Sequence, residues 1–244
     1  LDLTDAGRQP MCSPDGRFVL VYNGEIFNYR ELRSPLEDRG HVFRSHTDTE
    51  VLLYACIEWG ENAVTRLVGQ FAFAFWDSRE RTLLLARDHL GVKPLYYAQQ
   101  AGTLFFASEA KAIAAVLPDT RSVCSELLPQ YLAFLWVPGS DTLFNGMYAL
   151  PAGTIAVYRD GTMTQRRYWD LIEKWNAAVS GGTPPAQRDE EFRTILREAV
   201  RGQLVSDVPL GLLLSGGIDS TILLAEMAGE AKHVQAFTAT YSGK

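Results

Sequence analysis

From residue 18 to residue 106, runs of alternating and continuous apolar positions predict a succession of short strands and helices. Phe18-Val19-Leu20-Val21-Tyr22 is a β-rich apolar run, and Asn23-Gly24 after it reads as a turn. Asn28 is placed to cap a helix that continues to Arg39 and stops at Gly40. Thr47-Asp48-Thr49-Glu50 has the spacing of a capping box. The helix it opens turns Val51, Tyr54, Ala55 and Glu58 toward one face and stops at Gly60. Residues 71–76 and 82–86 predict two strands joined by a polar turn, and residues 95–98 and 103–107 predict a second hairpin. Both members of the first pair are apolar at nearly every position, so both of their faces should be covered. A sheet layered against another sheet or against helices follows.

Farther along, Ser108-Glu109 opens a short helix ending near Pro118, a second helix lies around residues 126–135, and residues 154–158 and 162–168 form a last hairpin. Ser180-Gly181-Gly182-Thr183-Pro184-Pro185-Ala186 then reads as a linker, loosened by glycine and closed to helix by the proline pair. Beyond it come an amphipathic helix at 187–204, an apolar strand at 209–214, another helix, and a strand at 234–241. This is the opening of an α/β domain with a parallel sheet. Two strands do not close a core alone, so that domain reads as incomplete.

Composition narrows the class. Of 244 residues, 23 are Lys or Arg and 29 are Asp or Glu, a formal net charge of −6, which argues against nucleic acid as a partner. A hydrophobic fraction of 47% supports a large core and excludes disorder. No apolar run approaches the ~20 residues of a membrane span, and the first residues do not form a signal peptide. The chain opens on Leu1 rather than Met, which reads as a start that has been removed. Cys12, Cys56 and Cys124 are unclustered, which points to a reducing, cytoplasmic setting rather than a disulfide framework.

The densest candidate chemistry is Leu210-Gly211-Leu212-Leu213-Leu214-Ser215-Gly216-Gly217-Ile218-Asp219-Ser220. A buried strand enters a Ser-Gly-Gly turn, and a helix begins at or just after Asp219. Glycines let backbone N–H groups approach an anion, and the helix N-terminus adds partial positive charge, a geometry suited to pyrophosphate. The lysine of a Walker-A loop is missing. Asp219 repels phosphate oxygens unless a divalent cation lies between them, so Mg²⁺ is implied, with Ser215 and Ser220 bonding phosphate or metal-bound water. A plain strand-to-helix turn with Ser and Asp as caps fits the same spacing equally well.

Asn23-Gly24-Glu25 follows a buried strand. The Asn23 amide and the Gly24 N–H can converge on a developing oxyanion, although a type I′ turn is the commoner use of Asn-Gly. Asp48 can bind the α-ammonium of an amino acid, or it can serve as a first-turn acid favoured by the helix dipole, worth ~0.3–1 kcal/mol. Arg87-Asp88-His89 invites a proton relay, but a connection held by an Arg–Asp pair, with His89 as a satisfied partner, is the favoured reading. Cys12 has no evident base beside it and is rejected as a nucleophile, and Cys56 falls inside a helix and reads as core.

Taken together, several stretches resemble the glutamine-dependent asparagine synthetase family over nearly the whole chain. They are residues 5–11, Val21-Tyr22-Asn23-Gly24-Glu25-Ile26-Phe27-Asn28-Tyr29, Thr47-Asp48-Thr49-Glu50, Gly69-Gln70-Phe71-Ala72-Phe73-Ala74, residues 87–97, Ala107-Ser108-Glu109 with Lys111 and Ala112, and Ser206-Asp207-Val208-Pro209 through Ser220. The resemblance implies an α+β fold joined to an α/β one. The first part would be a four-layer αββα N-terminal-nucleophile-type sandwich, and the second an incomplete Rossmann-like ATP-pyrophosphatase domain. Residues 1–168 would be a class II glutamine amidotransferase domain without its N-terminal segment, 169–188 a linker, and 189–244 the first part of the synthetase domain.

The implied activity is that of a ligase. Glutamine is hydrolysed in the first domain and ammonia travels through an internal tunnel. In the second domain ATP adenylates the aspartate side chain, releasing pyrophosphate, and ammonia displaces AMP. By resemblance, Asn23 and Gly24 match the oxyanion pair, and Asn23, Gly24, Glu25 and Asp48 match glutamine-binding positions. Leu213, Leu214, Ser215, Gly216, Gly217, Asp219, Ser220 and Ala239 match ATP-binding positions, with Asp219 toward Mg²⁺. Glutamine, aspartate and ATP are the implied substrates, with no nucleic acid, no membrane, and room for a homodimer.

The family's nucleophile is an N-terminal cysteine whose α-amino group is the base. Residue 1 here is Leu1, so the expectation is that this chain as written neither hydrolyses glutamine nor makes asparagine. Two alternatives keep their place: an amidotransferase for another carboxylate acceptor, as in relatives acting on β-lactams, peptides or glycans, and a non-catalytic glutaminase-like binding module.

Overall fold

The computed structural model describes residues 7–181, 185–206, 208–230 and 233–240. The chain divides into two compact units, Asp2–Ile172 and Glu173–Lys244. Leu1, Asp5, Ala6, Asp207 and Tyr241, which the sequence reading used, lie outside the described residues.

In the first unit, β1 (Met11–Cys12), β2 (Phe18–Ile26), β3 (Gly69–Asp77), β4 (Thr82–Arg87), β8 (Thr154–Arg159) and β9 (Thr162–Arg167) form a six-stranded antiparallel sheet in the order β1-β2-β3-β4-β8-β9. A smaller antiparallel sheet has β5 (Tyr96–Gln100) between β6 (Thr103–Ala107) and β7 (Met147–Ala149). Side chains alternate across each strand, so Ala72 and Ala74 of β3 share one face and Phe71, Phe73 and Phe75 the other. The alanine face, with Leu85 and Ala156, packs on Leu95, Tyr97 and Leu150 beside the smaller sheet. Small side chains here let the two sheets close together, while the phenylalanines fill the opposite face.

Helix α1 (Tyr29–Glu37) packs on α2 (Asp48–Trp59), and α2 lies against β1 and β2. Every residue of α2 from Asp48 to Cys56 is buried. On the outer side of the smaller sheet, Ile113 of α3 (Ala110–Val116) and Leu117 join Ala98 and Met147. Helix α4 (Leu128–Phe134) follows. Residues 71–75 are all buried, so the expectation of cover on both faces holds for β3.

Several local expectations change. The strand expected to end at Tyr22 continues to Ile26, so Asn23-Gly24 is inside the ladder and forms no turn. Tertiary pairing decides the case: Gly24 has no Cβ to collide with the Gln70 carbonyl, and β3 comes up against it. The Asn28 side chain does not cap α1. It donates to the Arg66 carbonyl and accepts from Val68 N–H, both at 2.9 Å, and so holds the approach to β3.

The second unit contains α5 (Leu171–Gly181, its first residues belonging to the first unit), α6 (Pro185–Gln203), β10 (Gly211–Leu213), α7 (Ile218–Glu230) and β11 (Gln235–Phe237). β10 and β11 pair in parallel with α7 as the crossover, as the alternation of strand and helix requires. Most of the span expected as a linker is helical, with residues 182–184 outside the described residues. Pro185 blocks no helix because it stands first in α6, where its missing N–H costs nothing. No helix among the described residues is long and apolar enough to cross a membrane.

At one end of the large sheet, Arg17 donates to both carboxylate oxygens of Asp77, at 2.9 and 2.6 Å. This pair holds the Asp77 carboxyl at about 2, below its ordinary 3.8. A depressed acid stabilises the fold fully above its unfolded value, and that contribution falls away as pH drops toward the folded value. Urea midpoints should therefore fall between pH 5 and pH 2.5, and Arg17→Ala should flatten that segment of the profile.

Candidate functional site

The N-terminus of α2 is built around two buried acids. Thr47 caps the helix by accepting from Thr49 N–H at 3.1 Å. Glu50 does not close the expected capping box onto Thr47. It accepts from Arg44 N–H, Ser45 N–H and the Ser45 hydroxyl, the last two at 2.7 and 2.6 Å, and so ties down the preceding loop. Asp48 is 2% exposed. Its Oδ2 accepts from the Tyr22 hydroxyl at 2.8 Å and from Ile26 N–H at 2.9 Å, and its Oδ1 accepts from the Thr47 hydroxyl at 3.2 Å. Burial, then the nearby Asp48 charge, pushes the Tyr22 phenol far above its ordinary value.

A third buried acid, Asp88, stands on the other side of β3. Its carboxylate accepts from the N–H groups of Phe71, Leu90, Val92 and Lys93, at 3.2, 3.1, 2.9 and 2.9 Å. Its own N–H and C=O bond to the Phe71 carbonyl and to the N–H groups of Gly91 and Gly153. Arg87 donates to the carbonyls of Lys93, Leu150 and Gly91 at 2.8, 2.7 and 2.7 Å. The expected Arg87–Asp88 ion pair is thus replaced by two separate sets of backbone bonds, because charge-assisted bonds to fixed amides satisfy both groups where they stand. His89 packs edge-on to Phe71, Tyr168 and Trp169, and its burial lowers its pKa. Neither ring nitrogen meets Asp88, so no relay forms there.

Between these anchors lies Asn23-Gly24. Asn23 stands opposite Ala72 and projects toward the smaller sheet, where its Nδ2 donates to Ser108 Oγ at 3.3 Å. The Tyr22 N–H points to the other edge of β2, away from β3, and donates to Gln9 Oε1 at 2.6 Å. Gly24 lies two residues on, so its N–H points to that same edge. Phe71, opposite Gly24, uses its own N–H and C=O toward Asp88. Glu25 stands opposite Gln70. Asn23, Tyr22, Gln9, Ala74, Leu95 and Ser108 help line a cavity of about 200 Å³ between the sheets. Among the wider cavities, one of about 490 Å³ is lined by Arg17, Asp77 and Cys56, and one of about 800 Å³ by Arg87 and His89, and neither holds Asn23, Gly24, Glu25 or Asp48.

Asn23 therefore lines the cavity and the next residue, Gly24, turns its N–H to the strand edge beside it, while the Asp48 carboxylate lies on the opposite, helical face of β2 and is engaged by the protein. Ser108, Gln9 and Tyr22 were not singled out as site residues from sequence. Ser108 stood inside a matching motif, but its contact with Asn23 spans 85 positions, which no local pattern reveals.

In the second unit, the strand-to-helix turn forms as expected. Gly216 has φ +81, and nothing lies within 4 Å of where its Cβ would be. Gly217 N–H donates to Ser215 Oγ at 3.3 Å, and the hydroxyls of Ser215 and Ser220 are 3.1 Å apart. The Ser220 and Thr221 hydroxyls donate to the Gly217 carbonyl at 3.2 and 2.8 Å. Asp219 is in the first turn of α7. Leu214 N–H donates to the Phe237 carbonyl, and the Thr238 hydroxyl donates to the Leu214 carbonyl, both at 2.8 Å. Leu213, Leu214, the Ser-Gly-Gly turn and Ala239 thus share the carboxyl edge of two parallel strands, where α/β sheets take ligands. No group of three His, Cys, Asp or Glu among the described residues can hold a metal alone. A single carboxylate, Asp219, in the turn of helix that follows the serine hydroxyls fits Mg²⁺ only when phosphate oxygens complete the ligand set.

Comparison with known proteins gives two family matches: the glutamine amidotransferase domain over residues 1–169, and asparagine synthase over residues 191–244. Among curated relatives, asparagine synthetase (glutamine-hydrolyzing) 3 of Bacillus subtilis (strain 168) is 39% identical, covering 98% of this chain and 39% of its own length. Asparagine synthetase (glutamine-hydrolyzing) 1 of the same organism is 36% identical, covering 90% of this chain and 34% of its own. Amidase chry2 of Gibberella zeae is 32% identical over 96% of this chain and 34% of its own. The chain spans well under half the length of the relatives it matches.

An added Cβ at Gly24 would lie 2.1 Å from the Gln70 carbonyl oxygen and 2.7 Å from Phe71 Cα, both backbone atoms that cannot turn aside. Gly24→Ala should therefore cost about 3 kcal/mol in urea unfolding. Gly229→Ala in α7, where nothing lies within 4 Å, should be neutral or slightly stabilising. Equal effects at the two positions would show that the strands do not approach closely at Gly24.

Proposed function

The chain belongs to the glutamine amidotransferase domain family, and from that premise we propose that the full-length protein makes asparagine from aspartate with glutamine as nitrogen donor and ATP as activator. The observation that carries the reading is the Asn23 amide on the wall of a cavity between two sheets, followed in the unbroken β2 by Gly24, whose N–H lies at the free edge of the strand. An unbroken strand fixes the Gly24 N–H and the backbone that carries the Asn23 side chain, and fixed donors are what stabilise charge that appears only in the transition state. As a nucleophile adds to the glutamine carboxamide carbon, the C=O π pair moves onto oxygen, and these two groups receive it. The nucleophile's proton passes to the amide nitrogen, the C–N bond breaks, and the carbonyl re-forms as ammonia leaves.

The four-layer sandwich of N-terminal-nucleophile type supplies the frame for this chemistry, with α1 and α2 outside one sheet and α3 outside the other. Glu25 and Asp48 complete the glutamine end in this proposal. Asp48 accepts three bonds, only one of them on Oδ1, so an acceptor site remains for the substrate's ammonium.

Residues 189–244 enter as the first part of a Rossmann-like synthetase domain. The turn from Ser215 to Gly217 and the start of α7 would receive the pyrophosphate of ATP, with Leu213, Leu214 and Ala239 beside the nucleoside. Asp219 would share Mg²⁺ with phosphate oxygens, which offsets the repulsion between like charges there. A bare carboxylate is a poor electrophile, so aspartate must first become its acyl-adenylate before ammonia can displace AMP. Three free thiols, Cys12, Cys56 and Cys124, suit the cytoplasm.

A second reading keeps this machinery and changes the acceptor to another carboxylate, and the similarity to amidase chry2 favours keeping it in view. The deciding assay supplies full-length protein with glutamine, ATP, Mg²⁺ and aspartate, and measures asparagine, AMP and pyrophosphate. Equal yields of the three are expected, and AMP formed only with a different carboxylate selects the second reading. Asn23→Ala should lower glutamine-dependent kcat by about 10²–10³ while synthesis from ammonium salts persists. A variant with unchanged glutamine hydrolysis would remove Asn23 from the chemistry.

A further inference from the structure

Oxyanion stabilisation requires more of an asparagine than its presence. Its amide has one end that attracts an anion and one that repels it, and the amide plane turns about a soft sp³–sp² torsion. On an open cavity wall, where Asn23 is exposed, that torsion needs a partner. The structure has one: Ser108 Oγ, reached from Asn23 Nδ2 at 3.3 Å. Ser108 follows β6 and precedes Glu109, the residue at the cap position of α3. Its hydroxyl does not cap that helix, and Glu109 makes no side-chain cap bond either. Among the described residues, the side-chain bond that Ser108 forms is the one to Asn23. Both residues line the same cavity, one from each sheet.

We infer that Ser108 is a positioning residue for glutamine hydrolysis, holding the Asn23 amide so that one N–H is spent on Ser108 and the second faces the carbonyl oxygen of glutamine. The inference rests on the function proposed above and adds what it lacked: the group that sets the orientation of the first oxyanion donor. It also gives the smaller sheet a part in catalysis, since a residue at the end of β6 fixes the angle of a donor on β2. The effect is confined to the step in which oxygen becomes charged, because ground-state glutamine carries no full charge for the amide to meet.

The test is glutamine hydrolysis by the full-length protein, read as glutamate released, for Ser108→Ala, Ser108→Thr, Asn23→Ala and the double variant. Ser108→Ala should lower kcat about 10-fold with KM within about twofold, and Ser108→Thr should restore most of the loss. The double variant should be no slower than Asn23→Ala alone, since Ser108 acts through Asn23. Thermal midpoints of both Ser108 variants should match the parent, which separates positioning from a contribution to α3. Wild-type kcat in Ser108→Ala overturns the inference, as does a double variant in which the two losses multiply. Full activity in Asn23→Ala overturns the site itself, and the role of Ser108 with it.

Discussion

The bond on which the rest of the first unit depends is a carboxylate, shut away from water, accepting backbone N–H groups at the end of a strand. Asp48 takes the Ile26 N–H at the end of β2, and Asp88 takes the Phe71 N–H on β3, directly opposite Gly24. Asn23 and Gly24 are bracketed between them. A buried charge is tolerable only where fixed donors replace the water it has lost, and each of these acids has at least three. The arrangement works in both directions: the amides stabilise the acids, and the acids prevent the strand ends from fraying. Removing Asp48 would leave the buried Ile26 N–H without its acceptor, and removing Asp88 would do the same to the Phe71 N–H, a larger penalty than the net worth of the bonds themselves.

From this follows the character of the proposed site. Donors on a turn would adapt to whatever lies nearby, whereas donors on a ladder that continues to Ile26 are already in place before substrate arrives. The glycine at position 24 is required by the approach of the β3 backbone, while its N–H points to the other edge of the strand. The second unit uses a different means to the same end. There the carboxyl ends of two parallel strands and a Ser-Gly-Gly turn present backbone amides, with hydroxyls of Ser215 and Ser220 already in contact with one another.

Much of this was legible from residue order. The strands at β3 and β4, the helix from Asp48 to Trp59 and its stop at Gly60, and the parallel pairing of β10 with β11 follow from periodicity and punctuation. The misreadings share one cause. Asn-Gly favours a turn by local dihedral preference, and the approach of β3 overrides that preference. Asn28 looks like a helix cap until Val68, 40 positions away, takes its oxygen. Arg87 and Asp88 look like an ion pair because they are adjacent and opposite in charge, yet each finds backbone partners of its own. Local sequence records what a side chain can do, and the partners it meets across the fold decide which of those capacities is used.

The central claim is that an unbroken β2 presents Asn23 and Gly24 as a matched pair of donors to the glutamine oxygen. The most direct measurement is a crystal structure of the full-length protein with the aldehyde analogue of glutamine, whose carbonyl carbon becomes tetrahedral when the nucleophile adds. The expected result is an oxygen about 2.7–3.1 Å from both Asn23 Nδ2 and Gly24 N, with β2 continuous through Ile26. An oxygen held by other donors, or an Asn23-Gly24 segment folded out of the strand as a turn, would contradict it.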